Sequence, residues 1–188
     1  MLQWNWIRFA FGATAALFVV GTGCATLSKS DCMSGDWVRI GKQDGTEGHT
    51  RSRFAKHVEA CEKHGVSPNR LKYEAGYKEG LVAYCTEENG FEVGRRGDRY
   101  ENVCPASREG SFMARYRAGK EMYDVEAKLK SVDSDISSIE NKLGEDAMLE
   151  SDRRRALDQV YRLRSERESL QRRLIVLEVR NEERGRRR

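Results

Sequence analysis

The chain has little with which to build a large apolar interior. Mean hydropathy is −0.75 and 34% of the 188 residues are charged, which argues against an extensive core. The apolar stretch from Phe9 to Val20, broken only by Thr14, is too short for a bilayer crossing, which needs ~20 residues. Excess charge of one sign is missing as well. A net charge of +4 is too small to argue for a polyanionic partner, and no face combines basic with aromatic residues as nucleic-acid binding requires. Nor is there a carboxylate–histidine–serine set, a zinc-protease helix or a phosphate-cradling loop. The sequence therefore supports no catalytic residue and no cofactor.

What stands at the N-terminus is an address. Arg8 precedes the apolar stretch and small residues follow it, Gly21-Thr22-Gly23-Cys24, the order of a cleavable export signal. A cysteine directly after the small residues resembles the lipobox of bacterial lipoproteins, in which Cys24 is acylated and becomes the mature N-terminus. Gly21 stands where that pattern has leucine or a similar residue, with Val20 one place early. An ordinary secretory peptide, or a short uncleaved anchor helped by Trp4 and Trp6, is the alternative. Acyl chains anchor through their buried methylenes, ~0.8 kcal/mol each. Ala25 rather than aspartate after the cysteine is, in lipoproteins of Gram-negative bacteria, the mark of outer-membrane delivery. The expectation is an outer-membrane lipoprotein facing the periplasm, with residues 1–23 as the signal peptide.

Four cysteines remain, Cys32, Cys61, Cys85 and Cys104. Export permits disulfides, and a small core calls for them. Three pairings are possible in principle. Ser28 and Asp31 form a capping-box pattern opening a helix that carries Trp37 and Ile40 and ends at Gly45 and Gly48. Phe54, Val58 and Cys61 share a face of a second helix over about residues 51–64, closed by Gly65. If these two helices run antiparallel, Cys32 meets Cys61. Ser67-Pro68 reads as the start of a third helix running to about Cys85, with Val66 and Leu71 as a hydrophobic staple. Asn89-Gly90 reads as a turn, and the piece up to Val103 is ambiguous. Cys104-Pro105 opens a fourth helix with Phe112, Tyr116 and Tyr123 on one side, and a short loop can return Cys104 to Cys85.

An aromatic residue followed three places later by glycine recurs at Tyr73/Gly76, Phe91/Gly94 and Tyr116/Gly119. Gly41/Gly45 and Gly76/Gly80 are spaced to share helix faces. Glycine inside a helix costs about 1 kcal/mol relative to alanine, so repeated use implies a close neighbour. Tight helix–helix contact is one account; a ligand groove lined by Trp37, Tyr73 and Tyr77 is the other.

Taken together, Cys32, Asp36-Trp37, Gly41 and Asp44-Gly45; His57, Cys61 and His64-Gly65-Val66; Tyr73, Gly76, Gly80 and Tyr84-Cys85-Thr86; and Asn89-Gly90-Phe91, Gly94-Arg95-Arg96-Gly97, Tyr100 and Val103-Cys104-Pro105 resemble, in order and spacing, the domain-of-unknown-function 2799 family of bacterial lipoproteins. The resemblance covers about residues 24–123. It implies a lipoprotein facing the periplasm and no particular activity.

Beyond it, Met122, Val125, Leu129, Val132, Ile136, Ile139 and Leu143 form a three-heptad seam. A second seam holds Ala156, Val160, Leu163, Arg167, Leu170, Leu174 and Leu177. The phase slips by one beside Gly144, so either a stammer in one long helix or a turn near Gly144–Ala147 joins them. Residues 121–147 carry eight acids and three bases, net −5, and residues 148–188 eight acids and thirteen bases, net +5. Opposite charge favours antiparallel pairing through a turn over pairing with another chain, though an oligomer through the coiled coil stays open. The expected fold class is mostly α: a small disulfide-stapled helical domain over residues 24–120, then an antiparallel coiled-coil hairpin with a basic tail over 121–188.

Candidate chemistry is sparse. His57, Cys61 and His64 share a helix face with metal-ligand spacing, but a disulfide sulfur is a poor ligand, which leaves His57 and His64. Gly94-Arg95-Arg96-Gly97 either presents an anion site through Arg95 and Arg96 or is a plain turn. Arg96-Gly97-Asp98 matches the integrin-binding tripeptide by chance unless exposed. The reading is a membrane-tethered, non-enzymatic binding or scaffolding module with a protein or cell-wall partner and no nucleic acid. The competing reading is an envelope enzyme or metal/ligand carrier using His57, His64 and the aromatic–glycine groove.

Overall fold

The computed structural model describes residues 26–144 and 148–186. The leader, Cys24 and residues 145–147 of the expected turn lie outside them. The described residues fold into seven α-helices and contain no strand. A capping box between Ser28 and Asp31 starts α1 (Lys29–Ser34). The single helix expected here is broken at Gly35, whose φ of 64° ends α1 and would strain any other residue. Asp36 then accepts a hydrogen bond from the Arg39 amide and caps α2 (Trp37–Thr46). Helix α3 (Arg53–Glu62) ends before Gly65, which has a φ of 69°. The next helix, α4 (Arg70–Tyr84), starts later than Ser67-Pro68: the Asn69 side chain accepts from the Lys72 amide. Leu71 is 82% exposed and forms no staple.

Asn89-Gly90 is helical rather than a turn. Thr86 caps α5 (Glu87–Arg95), accepting from the Asn89 amide, with Glu87 and Glu88 in its first turn and Arg95 in its last. That arrangement suits the helix dipole, and Gly90 is glycine because α6 passes too close for a side chain. Helix α6 (Ala106–Leu143) runs unbroken through position 120, so the disulfide-stapled part and the hairpin share one helix. Helix α7 (Glu150–Arg186) returns along it. Cys32 is bonded to Cys61 and Cys85 to Cys104, with Cα separations of 5.4 and 5.6 Å.

The glycines explain the packing. A Cβ on Gly41 or Gly45 would fall 2.0 Å from the Tyr73 carbonyl oxygen and 2.3 Å from that of Tyr77. One on Gly76 or Gly80 would fall 1.9 Å from the Val38 oxygen and 2.2 Å from that of Lys42. Backbone therefore lies directly on backbone between α2 and α4. The partner positions advance in the same direction on both helices, so the pair is parallel, with α3 as the return.

The same plan is used twice. Gly41, Gly45 and Gly48 recur 49 residues later as Gly90, Gly94 and Gly97, and Tyr77, Gly80 and Tyr84 recur 39 residues later as Tyr116, Gly119 and Tyr123. Their contacts recur with them. Gly94 lies against the Tyr116 carbonyl and Gly119 against that of Phe91, making α5 and α6 a second parallel pair. Gly48 faces the Tyr84 ring as Gly97 faces that of Tyr123, both glycines at positive φ. The Tyr77 hydroxyl donates to the His49 carbonyl as that of Tyr116 donates to Asp98. In each unit one disulfide ties the segment entering the first helix to the segment entering the second.

Between the units lies one core of Cys32, Trp37, Ile40, Cys61, Tyr73, Tyr77, Leu81, Tyr84, Cys85, Val93, Tyr100, Cys104 and Phe112. The hairpin adds two smaller clusters, around Met122, Val125 and Leu177 and around Val132, Ile136 and Val160. Four ion pairs cross it: Arg173–Glu121, Lys128–Glu166, Arg167–Asp133 and Arg164–Glu140. Three of them set an α6 acid against an α7 base, as the net charges of the two segments require.

Candidate functional site

A polar cluster is buried in the first helical unit. Asp44, on the inner face of α2, is 4% exposed, and His57, on α3, is 1% exposed. His57 Nε2 lies 2.7 Å from Asp44 Oδ2, the Tyr73 hydroxyl donates to the same oxygen over 2.7 Å, and Arg53 Nε lies 3.1 Å from Oδ1. On the other side of the imidazole, Nδ1 lies 2.8 Å from the Thr26 hydroxyl. Burial alone would raise the Asp44 carboxyl; the hydrogen bonds from His57 and Tyr73, with the charges of His57 and Arg53, outweigh it and hold the carboxyl below its ordinary range. Tyr73 is pushed the other way, first by burial and then by its bond to the Asp44 carboxylate.

The second unit shows what this cluster is not for. Val93 stands where Asp44 does and Phe112 where Tyr73 does, by the same 49- and 39-residue offsets, and both are buried in the core. The glycine contacts form equally well around apolar side chains. The charged cluster is thus a property of the first unit and not a requirement of the helix pair.

Above Asp44, the loop after α2 carries Glu47 and His49. Their ligand atoms and one of Asp44 lie within 4.8 Å of one another, the single such group among the described residues. Here His49 Nε2 lies 2.9 Å from Glu47 Oε2, and Arg53 already neutralises Asp44, so an ion at this place would have to displace the guanidinium.

The expected metal pair is not assembled. His57 is enclosed by Asp44 and Thr26, whereas His64 is exposed past the end of α3. The expected aromatic groove is likewise closed: Trp37, Tyr73 and Tyr77 are buried in the core because glycine lets the helices meet without a gap. Arg95 and Arg96 do not share an anion site either. Arg95 forms a two-pronged ion pair with Glu126 of α6, and Arg96 pairs with Asp98 over 2.7 Å.

An open cleft of about 540 Å³ lies elsewhere, between α4 and the loop into α6. Leu81, Val82, Val103 and Pro105 give it an apolar floor, with Arg51, Lys78 and Arg108 around it. Of the expected ligand residues Tyr77 alone reaches it. Sequence reasoning missed Asp44, Arg53 and His49; an aspartate at a core position of an otherwise apolar helix face was the available signal for the first.

Residues 36–121 match the family model described as a protein of unknown function, DUF2799. That stretch holds α2 to α5, the glycines along which α2 meets α4 and α5 meets α6, and Asp44, Arg53, His57 and Tyr73. Thr26, Cys32 and Tyr123 lie outside it, and it ends inside α6 as the hairpin begins. No curated protein and no solved structure matches the chain. Among the described residues, no helix is long and apolar enough to cross a membrane.

Proposed function

We propose that the protein is an outer-membrane-anchored envelope lipoprotein whose disulfide-stapled DUF2799 domain carries a helical hairpin, and that it acts as a non-enzymatic binding or scaffolding module. The observation that carries this reading is the division of labour between the two parts. The polar side chains of the first unit close on one another in the interior, with Asp44 and His57 bonded to each other and to Tyr73 and Thr26. Among the described residues, the disulfide-stapled part exposes four large apolar side chains, Met33, Val38, Leu71 and Val82, scattered over α1, α2 and α4. Helix α7 alone exposes five, Leu157, Tyr161, Ile175, Val176 and Val179, where a partner can reach them.

Anchoring is supported by the apolar leader that ends in small residues and Cys24, and the tether from that cysteine to the domain is short. Thr26, bonded to His57, is two residues past Cys24, and Leu27 packs against the core. An acyl group on Cys24 would therefore hold the domain within roughly 7 Å of the bilayer surface, the reach of two extended residues. The test is Cys24→Ala in the full chain. Loss of membrane attachment, or accumulation of unprocessed precursor, is expected. Unchanged processing and attachment, with no lipid on Cys24 by mass spectrometry, would refute the anchor.

A further inference from the structure

An exposed stripe of α7 lies beside its seam with α6, and from it Arg164 reaches back to Glu140 of α6. The stripe is symmetric about its centre, with like residues matching near the middle and opposite charges at the ends. Taking Glu168 as the centre, Arg164 and Arg172 stand four residues to either side, Tyr161 and Ile175 seven, and Leu157 and Val179 eleven. Farther out, Arg154 is matched by Glu182 at fourteen residues and Glu150 by Arg186 at eighteen, the two ends of the helix. The ten steps of this stripe span 36 residues, a mean of 3.6, the period of a straight α-helix. Every position on it is exposed. Leu157 is 55%, Tyr161 78%, Ile175 58% and Val179 49% exposed, whereas the residues facing α6 are buried or half-buried.

A surface with this symmetry is complementary to its own copy turned end for end. We infer that α7 is a self-association surface: two chains pair through an antiparallel α7–α7 contact about a twofold axis at Glu168. Leu157 of each chain then meets Val179 of the other, and Tyr161 meets Ile175. Outside these apolar patches Arg154 faces Glu182 and Glu150 faces Arg186, opposite charges at both ends of the contact. A shallow depression of about 300 Å³ bounded by Ile175, Val176, Val179, Arg180 and Glu183 lies where the opposing Tyr161 ring arrives. At the centre the axis sets Glu168 on Glu168 and Arg164 on Arg172, like on like, as a parallel pair also would, so the choice of direction rests on the two ends. Each Glu168, already 3.8 Å from Arg172 of its own chain, also lies between Arg164 and Arg172 of the other. Glu140 of α6, 2.7 Å from Arg164, brings the centre to four positive and four negative groups. A parallel pair would instead set Glu150 on Glu150, Arg154 on Arg154 and Glu182 on Glu182, and like charges in register oppose association.

The contact is modest. A helix of 37 residues is about 55 Å long, and a strip ~10 Å wide along it covers about 500 Å² per copy, below the ~800 Å² of a standard stable pair. Association is therefore reversible, and confinement on one surface would raise its extent. The inference rests on the reading of the hairpin as a contact module and names its partner; it does not depend on the lipid, so the membrane result with Cys24→Ala and the pairing result below fail separately.

Single cysteines placed on the stripe of the full chain carrying Cys24→Ala decide the matter, because the other four cysteines are already paired. Under mild oxidation Glu168→Cys should yield a covalent homodimer. Leu157→Cys alone should not, since its two copies would lie roughly 33 Å apart along the antiparallel pair. The double variant Leu157→Cys/Val179→Cys should restore the dimer. Comparable homodimers from Glu168→Cys and Leu157→Cys would mean a parallel pair and overturn the inference. So would capture of a different protein at position 168 or no dimer at all. Independently, Arg154→Glu and Glu182→Arg should each raise the dimer dissociation constant by about tenfold in sedimentation, with recovery in the double variant; a double variant as weak as the singles overturns the register.

Discussion

At the scale of single residues, the Asp44 cluster is the part whose energetics can be read directly. Asp44 is ionised below the ordinary carboxylate range by its bonds to His57 and Tyr73 and the charges of His57 and Arg53. A depressed folded-state pKa contributes stability that is complete above the unfolded value of about 4 and is lost as pH falls through the lower folded value. Unfolding monitored by circular dichroism should thus show stability declining below about pH 4, and Asp44→Asn should flatten that decline. Tyr73→Phe removes one hydroxyl from a charged acceptor and should cost about 1.5–3 kcal/mol in denaturant unfolding. The ring itself fits, as Phe112 shows at the matching place in the second unit. Gly76→Ala acts differently. Its Cβ would sit 1.9 Å from the Val38 carbonyl oxygen, so α2 and α4 must separate. A loss of about 3 kcal/mol or more is expected, against a gain of up to about 1 kcal/mol for Gly110→Ala, which sits inside α6 with nothing within 4 Å.

Among the elements, the hairpin carries one unfavourable residue. Arg167 occupies the α7 seam, reaches Asp133 only at 3.7 Å, and leaves its Nε buried without a partner. Because it faces α6 and not the exposed stripe, Arg167→Leu should raise the melting temperature by several degrees, as a gain of about 1 kcal/mol does in a chain of this size, with sedimentation unchanged. A fall in melting temperature would show that the Asp133 pair outweighs the lost apolar contact. The two staples should also matter unequally to local order. The Cys85–Cys104 bridge closes the loop before α6, so Cys85→Ala/Cys104→Ala should cost about 2–4 kcal/mol and speed amide exchange first in α5, whose hold on the rest is its contact with α6.

For the whole molecule, the shared core is unusually rich in buried phenols. Burial raises Tyr84 to about 12, with the nearby Tyr100 adding to it, and raises Tyr77 and Tyr100 as well. For these groups the folded value lies above the unfolded value of about 10, so their stability contribution is complete below pH 10 and is lost as pH rises toward 12. The tyrosinate absorbance of Tyr77, Tyr84 and Tyr100 should appear late and together with loss of helical signal. Early, non-cooperative ionisation of these three would mean that the core is not closed around them.

Much of this architecture was legible in the chain because it depends on near neighbours. Heptad spacing specified both hairpin seams, cap residues marked the start of α1, and short returns between helices brought each cysteine to its partner. The repeated aromatic–glycine spacing also signalled a close approach. What the sequence left open was decided by groups far apart along it. Asn89-Gly90 looks like a turn until α6 lies against Gly90 and makes glycine the only residue that fits a helix there. His57 looks like a ligand beside His64 until Asp44, thirteen residues away, claims it in the interior. Trp37, Tyr73 and Tyr77 look like a groove until α2 and α4 meet backbone to backbone. The symmetric stripe of α7 is likewise present in the letters, but an amphipathic helix has several faces. Which of them is free was settled by α6 covering the other seam, since burial is a property of the packed whole and local backbone preference is a property of a few residues.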